Sequence, residues 1–312
     1  MTNNKNEYAQ AKRRTNLSNV IFDAVIFIVL AFVVVATVYP FWNTVAISFN
    51  EGLDSLTGGI TLLPRKFTLQ NYKNLFVTPR IFHAGIISVT RTIIQTVLCV
   101  FCTAILAYAL SRKEFVIRKP LTTIIVISMY VNAGLIPSYM LIKNLGLLNK
   151  YAVYIIPGIV DVFNFILVRT YINGLPDSFV ESARIDGANE FRIFMQIIMP
   201  LIVPSIAMIS LFTAVNAWNS WFDTYLYTSP KPKLHSLQYV LMSFLQASQN
   251  QVSSADANSM ALAASSGAAT AMSTPISIRS AITVIATVPI LVVYPFVQKY
   301  FVVGMTIGGV KE

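Results

Sequence analysis

The feature that most constrains this chain is a series of long apolar runs that are nearly free of charge. A helix needs about 20 apolar residues, each adding ~1.5 Å, to cross a hydrocarbon core ~30 Å thick. Several runs reach that length, and residues 24–49, for example, contain no charged side chain. We therefore predict six membrane-spanning segments, within residues 24–49, 81–110, 121–142, 151–168, 193–222 and 280–298.

Composition supports an all-α, polytopic membrane helical bundle rather than a soluble fold. Only 12% of the residues are charged, whereas ordinary soluble domains carry about a quarter. Two cysteines exclude a disulfide framework. The first apolar run follows a polar, basic stretch and is too long for a signal-peptide core, so we predict a spanning helix there and no cleavable signal. We expect residues 1–312 to form a single transmembrane domain.

The distribution of basic residues predicts the orientation. Residues 111–119 hold four Lys or Arg side chains, and the arm of residues 1–23 holds four more. Because Lys and Arg concentrate on the cytoplasmic side, we expect both termini in the cytoplasm and residues 50–80 and 223–279 outside. Residues 50–80 resemble a loop, whereas helical spacing from Leu237 predicts an amphipathic helix, followed by a polar loop from Gln246.

Residues 175–200, between the fourth and fifth predicted spans, have an unusually detailed pattern for a connection. Ser178 and Glu181 fit a capping box that starts a helix, and Gly187 should end it. Asn189 can cap a second helix. We predict two short helices joined at a glycine and exposed on the cytoplasmic face. One stripe of the second helix would comprise Phe191, Phe194, Met195 and Ile198.

This segment resembles the EAA loop of ABC importer permeases. The segment begins with Glu181-Ser182-Ala183, continues after three residues with Gly187, and ends after nine more with Ile197-Ile198-Met199-Pro200. The family pattern has alanine where this chain has Ser182 and leucine where it has Met199, and both departures are mild. Residues 68–76, 216–222, 294–301 and 308–311 are similar to carbohydrate-uptake permeases of the MalG-like group, and within it to the LplC/YtcP-like permeases for oligosaccharides derived from plant polysaccharides. The resemblance implies contact with an ATPase through Glu181, Ser182, Ala183, Asp186, Gly187, Ile197 and Pro200. We call residues 175–200 the coupling segment.

The resemblance also implies a set of partners. It implies the type I importer permease architecture in the bacterial cytoplasmic membrane, a heterodimer with a second permease, two copies of an ATPase that bind ATP and Mg, and an extracellular solute-binding protein or lipoprotein. The sequence agrees with this division, because no glycine is followed by lysine and a phosphate-binding P-loop is therefore absent. We expect this chain to be a transport subunit, not an enzyme, with no cofactor, catalytic residue, metal site or nucleic-acid partner of its own.

Polar and aromatic residues at spanning depth are candidates for a sugar pathway. Amides can pair with sugar hydroxyls and aromatic rings can stack on apolar C–H faces, but interhelical hydrogen bonds and an interfacial aromatic belt would use the same residues. Arg91 either faces the pathway or snorkels to the outer interface, and Asp161 is expected in the bundle interior. Cys99 and Cys102 are expected to be packing residues. The pathway candidates are Arg91, Tyr130, Asn132, Asp161, Asn164, Asn216, Trp218, Asn219 and Trp221.

The predicted outer segments hold nine basic residues against four acidic ones. Arg91 would add one more positive group near the outer mouth, and a positive vestibule raises the local concentration of anions. Together with the resemblance to permeases for plant-polysaccharide fragments, this charge predicts an acidic, uronate-bearing oligosaccharide as cargo. Lipid headgroups, or a binding protein with an acidic rim, would also explain these lysines, and a neutral oligosaccharide is the alternative cargo. A secondary sugar transporter would favour several intramembrane carboxylates, whereas only Asp161 is present. A membrane enzyme would need a catalytic constellation, and a scaffold would not need the coupling segment.

Overall fold

A computed structural model of the chain describes residues 17–77, 79–254 and 274–307. These residues form helices joined by turns, with one isolated β-bridge between Asn50 and Phe67, so the all-α prediction is confirmed. The N-terminal residues 1–16 and the ending 308–311 lie outside the described residues. The helices are α1 (Leu17–Ser48), α2 (Gly52–Leu56), α3 (Gln70–Phe76), α4 (Pro79–Ser111), α5 (Arg118–Tyr130), α6 (Leu135–Asn144), α7 (Val162–Asn173), α8 (Ser178–Ile185), α9 (Glu190–Ile193), α10 (Met199–Leu201), α11 (Val203–Asn219), α12 (Phe222–Tyr227), α13 (Leu237–Ser254) and α14 (Pro275–Ile307).

Three helices are long and apolar enough to cross a membrane, namely α1, α4 and α14. Two bent pairs would raise the number of spans in the described residues to five: the turns of Tyr151–Gly158 with α7, bent by 44°, and Glu190–Leu201 with α11, bent by 81°. The third predicted span, residues 121–142, is not one continuous helix. It consists of α5 and α6 with a break at residues 131–134, where Gly134 has φ 86°.

The bend of 81° shortens the fifth predicted span. Pro200 lies in the first turn of α10 and Pro204 in the first turn of α11. Because proline donates no backbone hydrogen bond, it is tolerated at the start of a helix and favours a change of direction there. The straight part of this span is therefore α11, and residues 193–202, predicted as its beginning, belong instead to the end of the coupling segment and the turn after it.

The core is built around α4, against which α7, α11 and α13 pack. The larger apolar cluster joins α4, α7 and the coupling segment, and its Phe165, Ile193 and Ile202 are completely buried. A second cluster joins α13 to α14, with Val240 and Leu241 buried. This confirms the amphipathic helix from Leu237. The helix continues to Ser254, however, where a loop from Gln246 was predicted, and residues 255–273 lie outside the described residues.

Residues 50–80 are ordered by buried amides and are not a plain loop. They include α2 and α3. Asn71 Nδ2 donates to the carbonyl oxygens of Ser48 and Asn50 at 3.0 and 2.8 Å. Arg65 pairs with Asp54 at 3.0 Å. Such buried side-chain bonds between distant residues leave no periodic signal in the sequence, which is why the segment resembled a loop.

Candidate coupling segment and polar cavity

The first helix of the coupling segment, α8, begins one residue earlier than the capping box predicts. Its N-cap residue is Asp177, whose side chain makes no hydrogen bond to the helix. The capping box of Ser178 and Glu181 is therefore not formed, because Ser178 already lies inside the helix. Asp177 instead accepts a hydrogen bond from Lys113 Nζ at 2.6 Å. This contact lowers the pKa of the Asp177 carboxyl.

Gly187 ends α8 as predicted, and its backbone explains why a glycine stands there. Its φ is +77°, a left-handed conformation that side chains with a Cβ adopt only at a cost. The Gly187 N–H donates to Arg184 O, and the Ala188 N–H donates to Ala183 O, each at 3.0 Å. These two bonds form a Schellman motif, which closes the helix end and redirects the chain.

The second helix is capped by Asn189, as predicted. Asn189 Oδ1 accepts a hydrogen bond from the Arg192 N–H at 2.8 Å. The predicted apolar stripe is wrong, because Phe194 and Ile198 are buried whereas Phe191 is 62% exposed and Met195 is exposed as well. A π-helical turn over Phe194–Ile198 adds one residue to the turn and changes the face on which the following residues lie.

The family motif residues divide between the buried and exposed sides of this segment. Ala183 is buried in the larger core cluster, together with Val180. Ile197 is half-buried against the same cluster. The exposed members are Glu181, Ser182, Asp186, Gly187 and Pro200.

The two most exposed apolar side chains of the coupling segment are Ile185, which the sequence analysis did not single out, and Phe191 of the predicted stripe. Ile185 is 86% exposed, and Phe191 is exposed as well. Exposed apolar residues on a surface that also carries polar ones are typical of protein contact sites. The helical spacing places Ile185 opposite the buried Ala183 and Val180, a signal that could have identified it.

A polar network fastens the two short helices to the end of α4. Arg184 lies between two carboxylates, at 2.5 Å from Glu114 and 2.8 Å from Glu190. Tyr108 Oη donates to the second oxygen of Glu190 at 2.6 Å. The hydrogen bond from Arg184 lowers the pKa of Glu114. Sequence reasoning missed this network, because its members are far apart in the chain and no local motif connects them.

A cavity of about 600 Å³ lies between α4, α7 and α11, and its volume is within the range of ligand pockets in proteins. We call it the polar cavity, because its lining includes the polar side chains Gln95, Asp161, Asn164, Thr213 and Asn216. It brings together three of the predicted pathway residues, Asp161, Asn164 and Asn216. Asp161 is exposed at the cavity, not buried in the bundle interior as expected, and its Oδ1 caps α7 by accepting from the Asn164 N–H at 2.8 Å. Asn164 Nδ2 donates to Thr213 Oγ1 at 3.2 Å.

Gln95 is a lining residue of this polar cavity that the sequence analysis missed. It lies on α4 beside Cys99, and its buried Oε1 has no hydrogen-bond partner among the described residues. Cys99 is buried within 3.7 Å of Thr213 Oγ1, which agrees with a packing role. A buried amide oxygen without a partner lowers the stability of the fold, so Gln95 is a residue whose amide the packing alone does not explain.

The environment of Arg91 contradicts both of its predicted roles. It is 1% exposed, so it neither faces the cavity nor snorkels to the interface. Its Nη2 lies 2.7 Å from Asp223 Oδ2, and its guanidinium carbon lies 4.4 Å from the Tyr154 ring centroid. An acidic partner makes the burial of a cation possible, but that partner is 132 residues away in the sequence.

Trp218 does not line the polar cavity but packs between neighbouring helices. It is 9% exposed within the cluster formed by α13 and α14, and its Nε1 donates to Ala286 O at 3.0 Å. Its apolar body and single donor are both satisfied by neighbouring helices. The prediction from aromatic type and depth did not distinguish this environment from a cavity wall.

Four other candidates do not line the polar cavity. Tyr130 is 80% exposed at the end of α5, and Asn132 Oδ1 accepts from the Gly134 N–H at 2.9 Å within the break before α6. Asn219 accepts from Gln238 Nε2 at 3.3 Å, and Trp221 packs edge-on to Phe222 with centroids 5.7 Å apart. These residues shape the ends of helices next to the cavity.

Comparison with known proteins identifies the group to which this architecture belongs. A family model described as the binding-protein-dependent transport system inner membrane component matches residues 91–307. In Bacillus subtilis (strain 168), the polygalacturonan/rhamnogalacturonan transport system permease protein YtcP is 35% identical over 95% of this chain and 100% of its own length. The protein LplC of the same organism is 35% identical over 93% of this chain and 95% of its own length.

A solved structure extends the likeness to three dimensions. It is the crystal structure of a bacterial ABC transporter involved in the import of the acidic polysaccharide alginate. The matching chain is 28% identical, with a TM-score of 0.80 over 92% of this chain and 98% of that chain. The sequence and structural matches both extend over most of the chain and include the coupling segment. This integral membrane protein therefore belongs to the family of inner-membrane components of binding-protein-dependent transport systems, which are transporter permease subunits and not enzymes, and its relatives place it among the carbohydrate ABC permeases.

Proposed function

We propose that this permease forms half of the translocation pathway of an ATP-driven importer for acidic oligosaccharides derived from plant polysaccharides. The observation that carries the proposal is the nature of its relatives. One is named for polygalacturonan and rhamnogalacturonan, and a structural neighbour belongs to an importer of the acidic polysaccharide alginate. Both names refer to polymers that contain uronic acid units, and each match covers more than nine-tenths of this chain.

The coupling segment is the proposed contact with a separate ATPase. Its exposed apolar side chains, Ile185 and Phe191, would enter a groove on that subunit. Arg184 and its two carboxylates would transmit the movement to α4, because rigid ion pairs and packed helices move together. In this proposal the ATPase, present in two copies, binds ATP and Mg, and this chain binds neither.

The same proposal includes a second, homologous permease and an extracellular solute-binding protein or lipoprotein. Asp161 is exposed at the polar cavity, so the cavity is not enclosed by this chain alone. The most apolar stretch of α1 has no buried residue, so this helix offers surface to lipid or to a partner subunit. We treat residues 1–312 as one permease domain.

The electrostatic support for an acidic cargo comes from exposed lysines and not from Arg91. Because Arg91 is paired with Asp223, it adds no positive charge to the outer mouth. Two of the nine outer basic residues, Arg65 and Lys66, are also paired. A lysine rim remains around the apolar cluster of residues 142–154, 227 and 234, with no acidic partner among the described residues. The lysine rim comprises Lys143, Lys150, Lys231 and Lys233.

The orientation proposed from charge, with both termini cytoplasmic, has a direct test. Single cysteines are introduced at Ser111 and at Asn189 in a background in which Cys99 and Cys102 are replaced. Neither position should react with an impermeant thiol reagent added outside intact cells, whereas a cysteine at Lys143 should react. Labelling at Asn189 would refute the proposed placement of the coupling segment.

The cargo is tested with the complex that copurifies with this permease, reconstituted in liposomes. Oligogalacturonides should stimulate ATP hydrolysis, and Lys231→Gln with Lys233→Gln should weaken that response. Lys73→Gln is the matched control, because Lys73 is an exposed outer lysine in α3, outside the lysine rim. Stimulation by neutral oligosaccharides alone would refute the acidic cargo and support a permease for neutral sugars. Transport driven by an ion gradient without ATP would support a secondary transporter.

A further inference from the structure

The link between α4 and α5, residues 111–119, carries four basic residues that the structure divides into two pairs. The first pair faces the coupling segment and α4: the Arg112 guanidinium carbon lies 4.7 Å from the Tyr108 ring centroid, and Lys113 Nζ lies 2.6 Å from Asp177. The side chains of the second pair, Arg118 and Lys119, have no ion pair or hydrogen bond with any described residue. The link therefore has a paired half and an unpaired half.

The unpaired half is surrounded by positive charge. Arg118 begins α5, which packs against α7, the helix that carries Arg169, and the two cations repel each other. Arg169 donates its Nε–H to Leu110 O at 3.1 Å and has no carboxylate partner among the described residues. Cations in close proximity raise the energy of the folded state unless an anion lies between them. An anion between α5 and α7 would relieve this repulsion.

Exposed apolar side chains stand directly beside Arg118. Val116 is 91% exposed and Ile117 is 51% exposed, immediately before Arg118. The apolar surface continues along α5, where Ile124 and Ile127 are exposed. Apolar residues flanked by Lys and Arg at the end of a membrane helix are typical of segments that lie in the headgroup region of an anionic bilayer.

We propose that Arg118, Lys119 and Arg169 bind the phosphate of an anionic phospholipid in the cytoplasmic leaflet, with Val116 and Ile117 inserted beside its glycerol and upper acyl region. The assignment to that leaflet rests on the orientation in the proposed function. A lipid explains the exposed apolar residues and the unpaired cations together, because its phosphate and its chain are joined. An acidic surface of the ATPase would satisfy the cations but would leave Val116 exposed to water.

The test uses the full-length permease, purified with the subunits that accompany it in mild detergent and titrated with phosphatidylglycerol or phosphatidylcholine. Native mass spectrometry then measures the phospholipid retained per permease. Each basic residue near an anionic surface contributes about fivefold to binding. Lys119→Gln should weaken phosphatidylglycerol retention about fivefold, and Arg118→Gln with Lys119→Gln roughly thirtyfold. Phosphatidylcholine retention should not change in either variant.

Lys113→Gln is the matched control, because it removes an exposed lysine of the same link that already has a carboxylate partner. It should change phosphatidylglycerol retention less than twofold. The charge-conserving variant Arg118→Lys with Lys119→Arg should retain the lipid, which separates loss of charge from misfolding. Val116→Asp should weaken retention although the three cations are intact.

Two outcomes would overturn the proposal. Equal phosphatidylglycerol retention by Lys113→Gln and Lys119→Gln would show that the unpaired cations do not form the site. Loss of the ATPase from the Arg118→Gln, Lys119→Gln variant, with lipid retention unchanged, would assign these cations to a protein contact. Lipid retention requires neither transport nor cargo, so a failure of the acidic-oligosaccharide assignment would leave this result interpretable.

Discussion

Replacing Gly187 with valine tests whether the turn between α8 and α9 transmits the movement of the ATPase. The ideal position of a Cβ at Gly187 has no atom within 4 Å, so a larger side chain meets no obstacle. The cost comes from φ of +77° alone. A non-glycine residue in this region costs roughly 1–3 kcal/mol, with β-branched residues at the upper end and asparagine at the lower. The two hydrogen bonds of the Schellman motif add about 1 kcal/mol each if the turn opens.

A cost of about 2–3 kcal/mol would shift the equilibrium of the turn towards its open form by roughly 30- to 150-fold. We expect Gly187→Val to insert and assemble, but to lose most substrate-stimulated ATP hydrolysis and uptake, and to be cut faster by trypsin after Arg184. Gly187→Asn should retain most activity, and Gly187→Ala should lie between the two. The control is Gly85→Val, which also meets open space but lies in α4 without a positive φ. If Gly187→Val behaves like Gly85→Val in all three assays, backbone strain at this turn does not govern coupling.

Three further predictions concern the buried ion pair, the polar cavity and the cytoplasmic network. Arg91→Met should lower the free energy of unfolding by about 3–5 kcal/mol, because it leaves Asp223 without its partner. Thermal unfolding in detergent should show this loss. The double variant Arg91→Met with Asp223→Asn should recover part of the lost stability. Trp218→Ala should lower the free energy of unfolding by about 3–5 kcal/mol, because it empties a packed site. Asn164→Ala should reduce uptake but lower the free energy of unfolding by only about 1 kcal/mol. Equal thermal shifts in the two variants would contradict the assignment of Trp218 to packing and of Asn164 to the cavity. The pKa of Glu114 is below its ordinary 4.5, so the stabilisation from its ion pair is present above pH 4.5 and is lost as the pH falls through the lowered pKa. Hydrogen exchange of α8, corrected for intrinsic rates, should be constant from pH 7 to 5 and rise only in stronger acid. The rise should be smaller in Glu114→Gln, in which only the ion pairs of Asp177 and Glu190 remain to be lost.

The coupling segment was largely predictable because its determinants are local. Gly187 ends a helix for a conformational reason that involves only its neighbours, and Asn189 caps the next helix through a residue three positions away. The family motif also lies within one short stretch. The error at the start of α8 is small, because Asp177 and Ser178 are both good capping residues and only the contact of Asp177 with Lys113 distinguishes them.

Arg91 and Trp218 have surroundings that differ from the prediction because they are determined by distant parts of the chain. Arg91 meets an acid in the first turn of α12, and Trp218 meets a carbonyl of α14. Gln95 shows the opposite case, in which an ordinary polar residue acquires interest only because its neighbours leave a cavity. Hydropathy measures burial in lipid or protein without distinguishing the two, so it predicts spans well and pathway residues poorly.

The pairing of α1 with α14 has a consequence for biosynthesis. The ribosome makes α1 long before α14, so α1 remains in the bilayer without this neighbour while the intervening helices are made. Two threonine hydroxyl groups of α1 remain hydrogen-bonded during that time. Thr37 Oγ1 donates to Val33 O at 2.7 Å, and Thr44 Oγ1 donates to Pro40 O at 2.8 Å, so each side chain is satisfied by its own helix. A nascent chain that stops before residue 275 would therefore expose no unpaired hydroxyl of Thr37 or Thr44 to lipid. Membrane quality control could not recognise such a truncated chain by these two threonines.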